Sequence, residues 1–112
     1  MAYTKRLLYE PLRSIDSSTF SGSYQALGIP LAHSVSIVKL VNNSTVLVTI
    51  STDGINDMDI APASSFFLYD ITTNTPSQGD DAIFVQQGTQ YLVKGSAGAG
   101  FVYLVVQYIV QV

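Results

Sequence analysis

Within seven residues the chain sets four acid or amide side chains, Asp53, Asn56, Asp57 and Asp59, in the stretch "STDGINDMDI". Oxygen ligands at such density suggest a hard cation. A calcium loop needs the pattern D-x-[DN]-x-[DN]-G followed by a glutamate. Here Gly54 directly follows Asp53, and no glutamate comes after it. Asp57 and Asp59 project to one side of an extended segment, which at most makes a weak exposed cation site. Turn chemistry explains the run more simply. Asp53-Gly54 makes a turn, and Asn56 and Asp57 bond to the local backbone.

The other reactive residues are equally sparse. His33 is the only histidine and Glu10 the only glutamate, and there is no cysteine. Zinc fingers, thiol catalysis and disulfides are therefore excluded. So is a cupin-like metal site, which wants several histidines. No G-x-S-x-G elbow is present to present a serine to His33, so His33 is read as a loop or strand-edge residue. Asp80-Asp81 sits in a polar loop that would not raise a carboxyl pKa. Gly95, Gly98 and Gly100 follow Lys94, whereas a phosphate loop has its lysine after the glycines and opens a helix. "KGSAGAG" is instead a flexible turn. We expect no enzyme here: no catalytic residue, no cofactor-binding residue and no metal ligand.

The 112 residues make one domain by length. Apolar residues are 47% and charged residues 12%, about half the usual charged share. Such a chain folds, and it has few charges with which to cover itself, so part of its surface is expected to meet other protein. The net charge of −3 argues against a general nucleic-acid binder. Lys5, Arg6 and Arg13 cluster near the start and are read as a solvated arm or a protein contact. "MAYTKRLLYEPLR" lacks the apolar core of a signal peptide. The twelve residues of "FVYLVVQYIVQV" are too few to span a bilayer, so no membrane association is expected.

The elements follow from alternation. Val, Ile, Thr, Tyr and Phe recur between turn residues every eight to twelve positions, which reads as all-β. "VSIVKLV" (35–41) and "TVLVTIS" (45–51) have period 2, with "NNS" between them as a hairpin turn. Shorter strands are expected at "MDIA", "SSFFLYD" (64–70), "AIFV" (82–85) and "TQYLVKG" (89–95), with a loop at "TTNTPSQGDD" (72–81). In 64–70, Phe67 is expected to pack oppositely to Phe66 and Tyr69. A last strand runs from Phe101 to Val112. The fold class is a single antiparallel β-sandwich, jelly-roll or Greek-key-like, of seven or eight strands over residues 1–112. Residues 1–13 form a less regular N-terminal arm, since Pro11 interrupts a segment without clear alternation.

The strings "YQALGIPLAH", "VNNSTVLVTISTDG", "APASSFFLYD" and "GTQYLVKG" carry a resemblance. From Leu8 onward the chain resembles small structural proteins of tailed-bacteriophage virions, single β-sandwich-like chains of about this size. These strings are strand and turn signatures, so the resemblance transfers no functional residue. It implies a virion location and a non-enzymatic assembly role, in capsid decoration or at the head–tail connector and tail junction. The implied partners are copies of the chain and other virion proteins: capsid, portal or connector, or tail. A receptor- or glycan-binding tail or fibre module is the alternative, favoured by exposed aromatics with polar groups around them.

Two surfaces are candidates for those contacts. One is the arm, through Leu7, Leu8 and Tyr9. The other is the last strand. Its face of Val102, Leu104, Val106, Tyr108, Val110 and Val112 is uniformly apolar and belongs on the core. Its other face holds Tyr103, Val105 and Ile109 with no charge at all. A strand this long without a guard residue should lie centrally in its sheet, with that second face against another subunit.

Overall fold

The computed structural model describes residues 5–70 and 85–111. In chain order the strands are β1 (Lys5–Tyr9), β2 (Arg13–Asp16), β3 (Gln25–Ala26), β4 (Ile37–Ser44), β5 (Val48–Ser51), β6 (Asp59–Ala61), β7 (Ser65–Asp70), β8 (Leu92–Lys94) and β9 (Gly100–Gln111). One short 3-10 turn, Ser17–Thr19, follows β2. The strands form two antiparallel sheets packed as a sandwich. The larger runs β1-β9-β4-β7, with β2 also on β9, and the smaller runs β3-β8-β5-β6.

The long last strand organises the larger sheet. Its 101–104 half pairs with β2 and its 107–111 half with β1, while β4 lies along its other side. It is therefore central, as its unguarded apolar sequence requires. Val102, Leu104 and Val106 are fully buried and meet Val38 and Leu40 of β4 in the core. Val48, Ile50 and Val93 close the core from the smaller sheet.

Four expectations need correction. First, residues 5–9 of the supposed irregular arm are a regular strand, paired residue for residue with β9 from Lys5↔Gln111 to Tyr9↔Gln107. The pairing partner lies a hundred residues away, so local alternation was a poor guide to it. Arg13 is buried rather than solvated.

Second, "NNS" is not a hairpin turn. β4 continues through Ser44, and the chain then crosses to the other sheet to begin β5. Asn42 and Ser44 keep the inward phase of Val38 and Leu40 and are buried. Asn42 Nδ2 donates to the carbonyls of Val46 and Ala61, both at 2.8 Å, and Pro62 at 3.1 Å. Turn-forming residues here satisfy a buried crossing between layers.

Third, Tyr69 shares the phase of Phe67, not of Phe66. Phe67 pairs with Leu40 and Tyr69 with Val38, and their rings lie 4.8 Å apart. Phe66, one residue out of step, points the other way, opposite Phe67 as expected. Fourth, the 95–100 turn is tightly packed. A Cβ on Gly98 would stand 2.7 Å from Val46 Cγ1, and one on Gly100 2.2 Å from the Asn43 carbonyl oxygen. The glycines let this turn lie against the β4–β5 crossing.

Of the expected strand 82–85 only Val85 is described, bridged to Val35. The expected loop 72–81, with Asp80 and Asp81, lies outside the described residues.

Candidate assembly interface

Strand alternation determines which residues the larger sheet turns away from the core. Cross-strand pairing lays them out in rows. Phe66, Val41, Tyr103 and Ser14 form one row, and Leu68, Lys39 and Val105 the next. Asp70, Ile37, Gln107 and Tyr9 follow, then Ile109 beside Leu7, with Lys5 and Gln111 paired in the same phase at the end of the ladder. Most of these side chains are apolar. Phe66 and Tyr9 are 65% and 67% exposed, and Leu7, Leu68 and Ile109 are exposed as well. Lys39 sits in the middle of the face and has no ion-pair partner among the described residues.

The face spans about 15 Å across four strands and roughly 27 Å along β9. That is several hundred square ångströms in projection, the order of the ~800 Å² each partner gives to a standard interface. Isolated apolar side chains on a surface need no explanation, whereas continuous patches of several hundred square ångströms are often functional.

Five of the six sequence-derived candidates meet on this face: Leu7, Tyr9, Tyr103, Val105 and Ile109. Leu8 does not. It pairs with Tyr108 on the inward side and is half-buried, because alternation cannot turn three consecutive residues the same way. Sequence reasoning missed Ile37, Val41, Phe66 and Leu68. Their signal was the even or odd phase of β4 and β7, legible once the core phase of each strand is known.

A shallow recess of about 220 Å³ lies within the face. Phe66 and Tyr103 flank it, Val41 lies between them, and Asn43, Ser64 and Ser65 rim one end. Ser64 holds a left-handed backbone, φ +59°.

Elsewhere polar side chains bond one another and the backbone. Glu10 Oε1 accepts from Arg13 Nη2 at 2.7 Å, and Oε2 lies 2.9 Å from His33 Nδ1. His33 stacks on Tyr108 with ring centroids 3.7 Å apart. Burial alone would raise the Glu10 pKa, but the bonds from Arg13, His33 and the Ala32 amide outweigh it and hold the pKa below the usual value. Among the described residues His33 is bonded to Glu10 and stacked on Tyr108, with no hydroxyl bonded to it.

The acidic stretch is a self-satisfied loop. Asp53 Oδ1 accepts from the amides of Ile55 and Asn56 at 2.8 and 2.9 Å and from the Ser51 hydroxyl at 2.8 Å. Asn56 Nδ2 bonds the other oxygen at 2.8 Å. These donors, the two backbone amides above all, hold the Asp53 carboxyl well below the usual range. Asp57 instead accepts from Tyr24 and pairs with Lys94 at 3.0 Å. Loss of water around the phenol, and then the Asp57 carboxylate beside it, push the Tyr24 pKa up to about 12. Among the described residues no cluster of three metal-ligating side chains exists.

No known protein family matches the chain, and no curated protein matches it. Some solved structures are similar to it at low identity. One is a Bacillus endospore appendage protein of a disulfide-linked pilus, at 11% identity and TM-score 0.47 over 94% of this chain and 89% of that one. Another is the Dit protein of phage SPP1, described as a hub adsorption apparatus, at 12% identity and TM-score 0.42. That match covers 93% of this chain and 49% of Dit, so the chain spans about half of that protein. A third is the virus-like particle of Macrobrachium rosenbergii extra small virus, at 10% identity and TM-score 0.47 over 97% of this chain and 79% of that one.

Proposed function

We propose that the chain is a non-enzymatic structural subunit of a bacteriophage virion, acting in capsid decoration or at the head–tail connector and tail junction. It binds copies of itself and neighbouring virion proteins through the outer face of the β1-β9-β4-β7 sheet. The observation that carries this reading is the continuity of that face. Side chains of four strands present apolar and aromatic surface around Lys39, with Asp70 at the β7 edge. Covering it removes apolar area from water, which supplies cohesion without any chemistry. The low charge of the chain and the sequence resemblance point the same way.

Replacing Val105 with lysine tests it. The residue is half-buried and outward, so folding should be retained while incorporation into particles or oligomers falls sharply. A Val105→Lys chain that incorporates like the parent rejects the face as an interface. The second reading, a glycan- or receptor-binding module, is favoured by the Phe66–Tyr103 pair with Asn43 and Ser65 beside it. At about 220 Å³ the recess is below the ~300–1,000 Å³ usual for ligand pockets, which suits a protruding side chain better than a free ligand.

A further inference from the structure

We infer that the recess between Phe66 and Tyr103 is occupied by Ile55 of a second copy of the chain, so that subunits join head to tail. This rests on the assembly reading of the outer face and names the partner that meets it.

Ile55 is the most exposed large apolar side chain among the described residues, at 82%. It is not on a loose tip. The Asp53 carboxylate binds its amide and that of Asn56, and Gly54 takes φ +75° to close the turn. Two of the four oxygen-rich residues that suggested a cation site, Asp53 and Asn56, therefore hold the turn that presents an isoleucine. A side chain already held in position loses little freedom on docking, and this favours binding.

The recess matches it in shape and charge. Val41 forms its floor, with the larger rings of Phe66 and Tyr103 in the same cross-strand row on either side. Lys39, two residues along β4 on the same face, has no ion-pair partner among the described residues. The incoming loop carries Asp53 and Asp57 on either side of Ile55. Asp57 is held by Lys94 of its own copy, so the charge the tip brings is that of Asp53. It meets Lys39 in the row next to the recess, with Asp70 a row further off, and that attraction favours this partner and register.

The loop joins β5 to β6 in the smaller sheet, whereas the recess is on the larger one. Two different surfaces meet, and each copy that gives its loop to one neighbour and its recess to another makes a heterologous contact. Copies add in series, either closing into a ring or continuing as a stack.

The test uses the purified full chain in sedimentation velocity, with Ile55→Asp and Phe66→Asp variants. Both positions are exposed, and matching thermal melts would verify that folding is intact. Each variant alone should be monomeric where the parent forms larger species. Mixed one to one, they should form a dimer and stop there, since only one intact loop and one intact recess remain. Lys39→Glu should weaken association about tenfold at low salt. A parent that stays monomeric, or a mixture that forms no dimer, overturns the inference. If Phe66→Asp and Val105→Lys lose assembly while Ile55→Asp assembles normally, the loop is not the occupant although the outer face remains the interface. Glycan binding by the parent that Phe66→Asp removes, with Ile55→Asp assembling normally, overturns it in favour of a saccharide.

Discussion

Glu10, just after β1, and Arg13, the first residue of β2, form an ion pair of 2.7 Å with side chains only 1% and 4% exposed. Arg13 also donates to the carbonyls of Ile29 at 2.8 Å and Pro30 at 3.1 Å, so the pair ties the first turn to the 29–33 loop. Removing one partner leaves the other charged and buried. Glu10→Ala should cost roughly 3–5 kcal/mol in urea unfolding. The double variant Glu10→Met/Arg13→Met should cost clearly less than the two single changes added together. Additive losses would show that the two side chains do not act as a pair.

The same contact sets an acid limit. The folded-state pKa of Glu10 lies below the usual 4.5, so its contribution is fully present above that value. It is lost as pH falls through the depressed folded value. Stability measured from pH 7 to pH 3 should drop more steeply for the parent than for Glu10→Met/Arg13→Met. Parallel curves would rule out Glu10 as a source of the acid sensitivity.

The core strands were legible because their alternation is strong. Val102, Leu104 and Val106 announce a buried face, and the absence of guards on β9 announces a central position. Asn42 misled because its type favours turns, while its place in the phase of Val38 and Leu40 made it a buried crossing residue. β1 was hidden because its ladder is formed entirely with the far end of the chain. The outer face needed both facts together. Leu7 and Ile109 are adjacent only when β1 is a strand, and Phe66 joins them only when the phase of β7 is known.

The Asp53 loop should be indifferent to metals. Its oxygens already hold two backbone amides, the Ser51 hydroxyl and the Asn56 amide. Melting temperature should be the same with excess chelator as with added calcium. A shift of more than a few degrees would show that the loop binds a cation after all.

Asn42 should be hard to replace. Asn42→Leu matches its volume but removes the donor from the Val46, Ala61 and Pro62 carbonyls. The Ser44 and Ser65 hydroxyls still donate to Val46 and Pro62, so the loss falls on the Ala61 carbonyl. A buried polar group left without a partner costs about 1–3 kcal/mol. The variant should therefore lose more stability than Asn43→Leu, whose side chain is exposed. Equal losses would mean that water reaches the crossing and replaces the amide.

Gly100 starts β9 at the point where β4 ends, with φ +101°. A Cβ there would lie 2.2 Å from the Asn43 carbonyl oxygen and 3.0 Å from Ser44 Cα, both backbone atoms of the neighbouring strand. Gly22 offers a control. Its φ is +86°, but a Cβ on it would meet nothing within 4 Å. Gly22→Ala should carry only the left-handed penalty, about 1–2 kcal/mol. Gly100→Ala carries that penalty and must also push β4 from β9 at Asn43 and Ser44, which shifts the Gly100 carbonyl that accepts from the Ser17 hydroxyl at 2.8 Å. Its loss should exceed that of Gly22→Ala by a further 1–3 kcal/mol or so, the usual range for overpacking. Equal losses for the two alanines would mean that the strands separate at this corner without cost, and that the close approach is not what requires glycine.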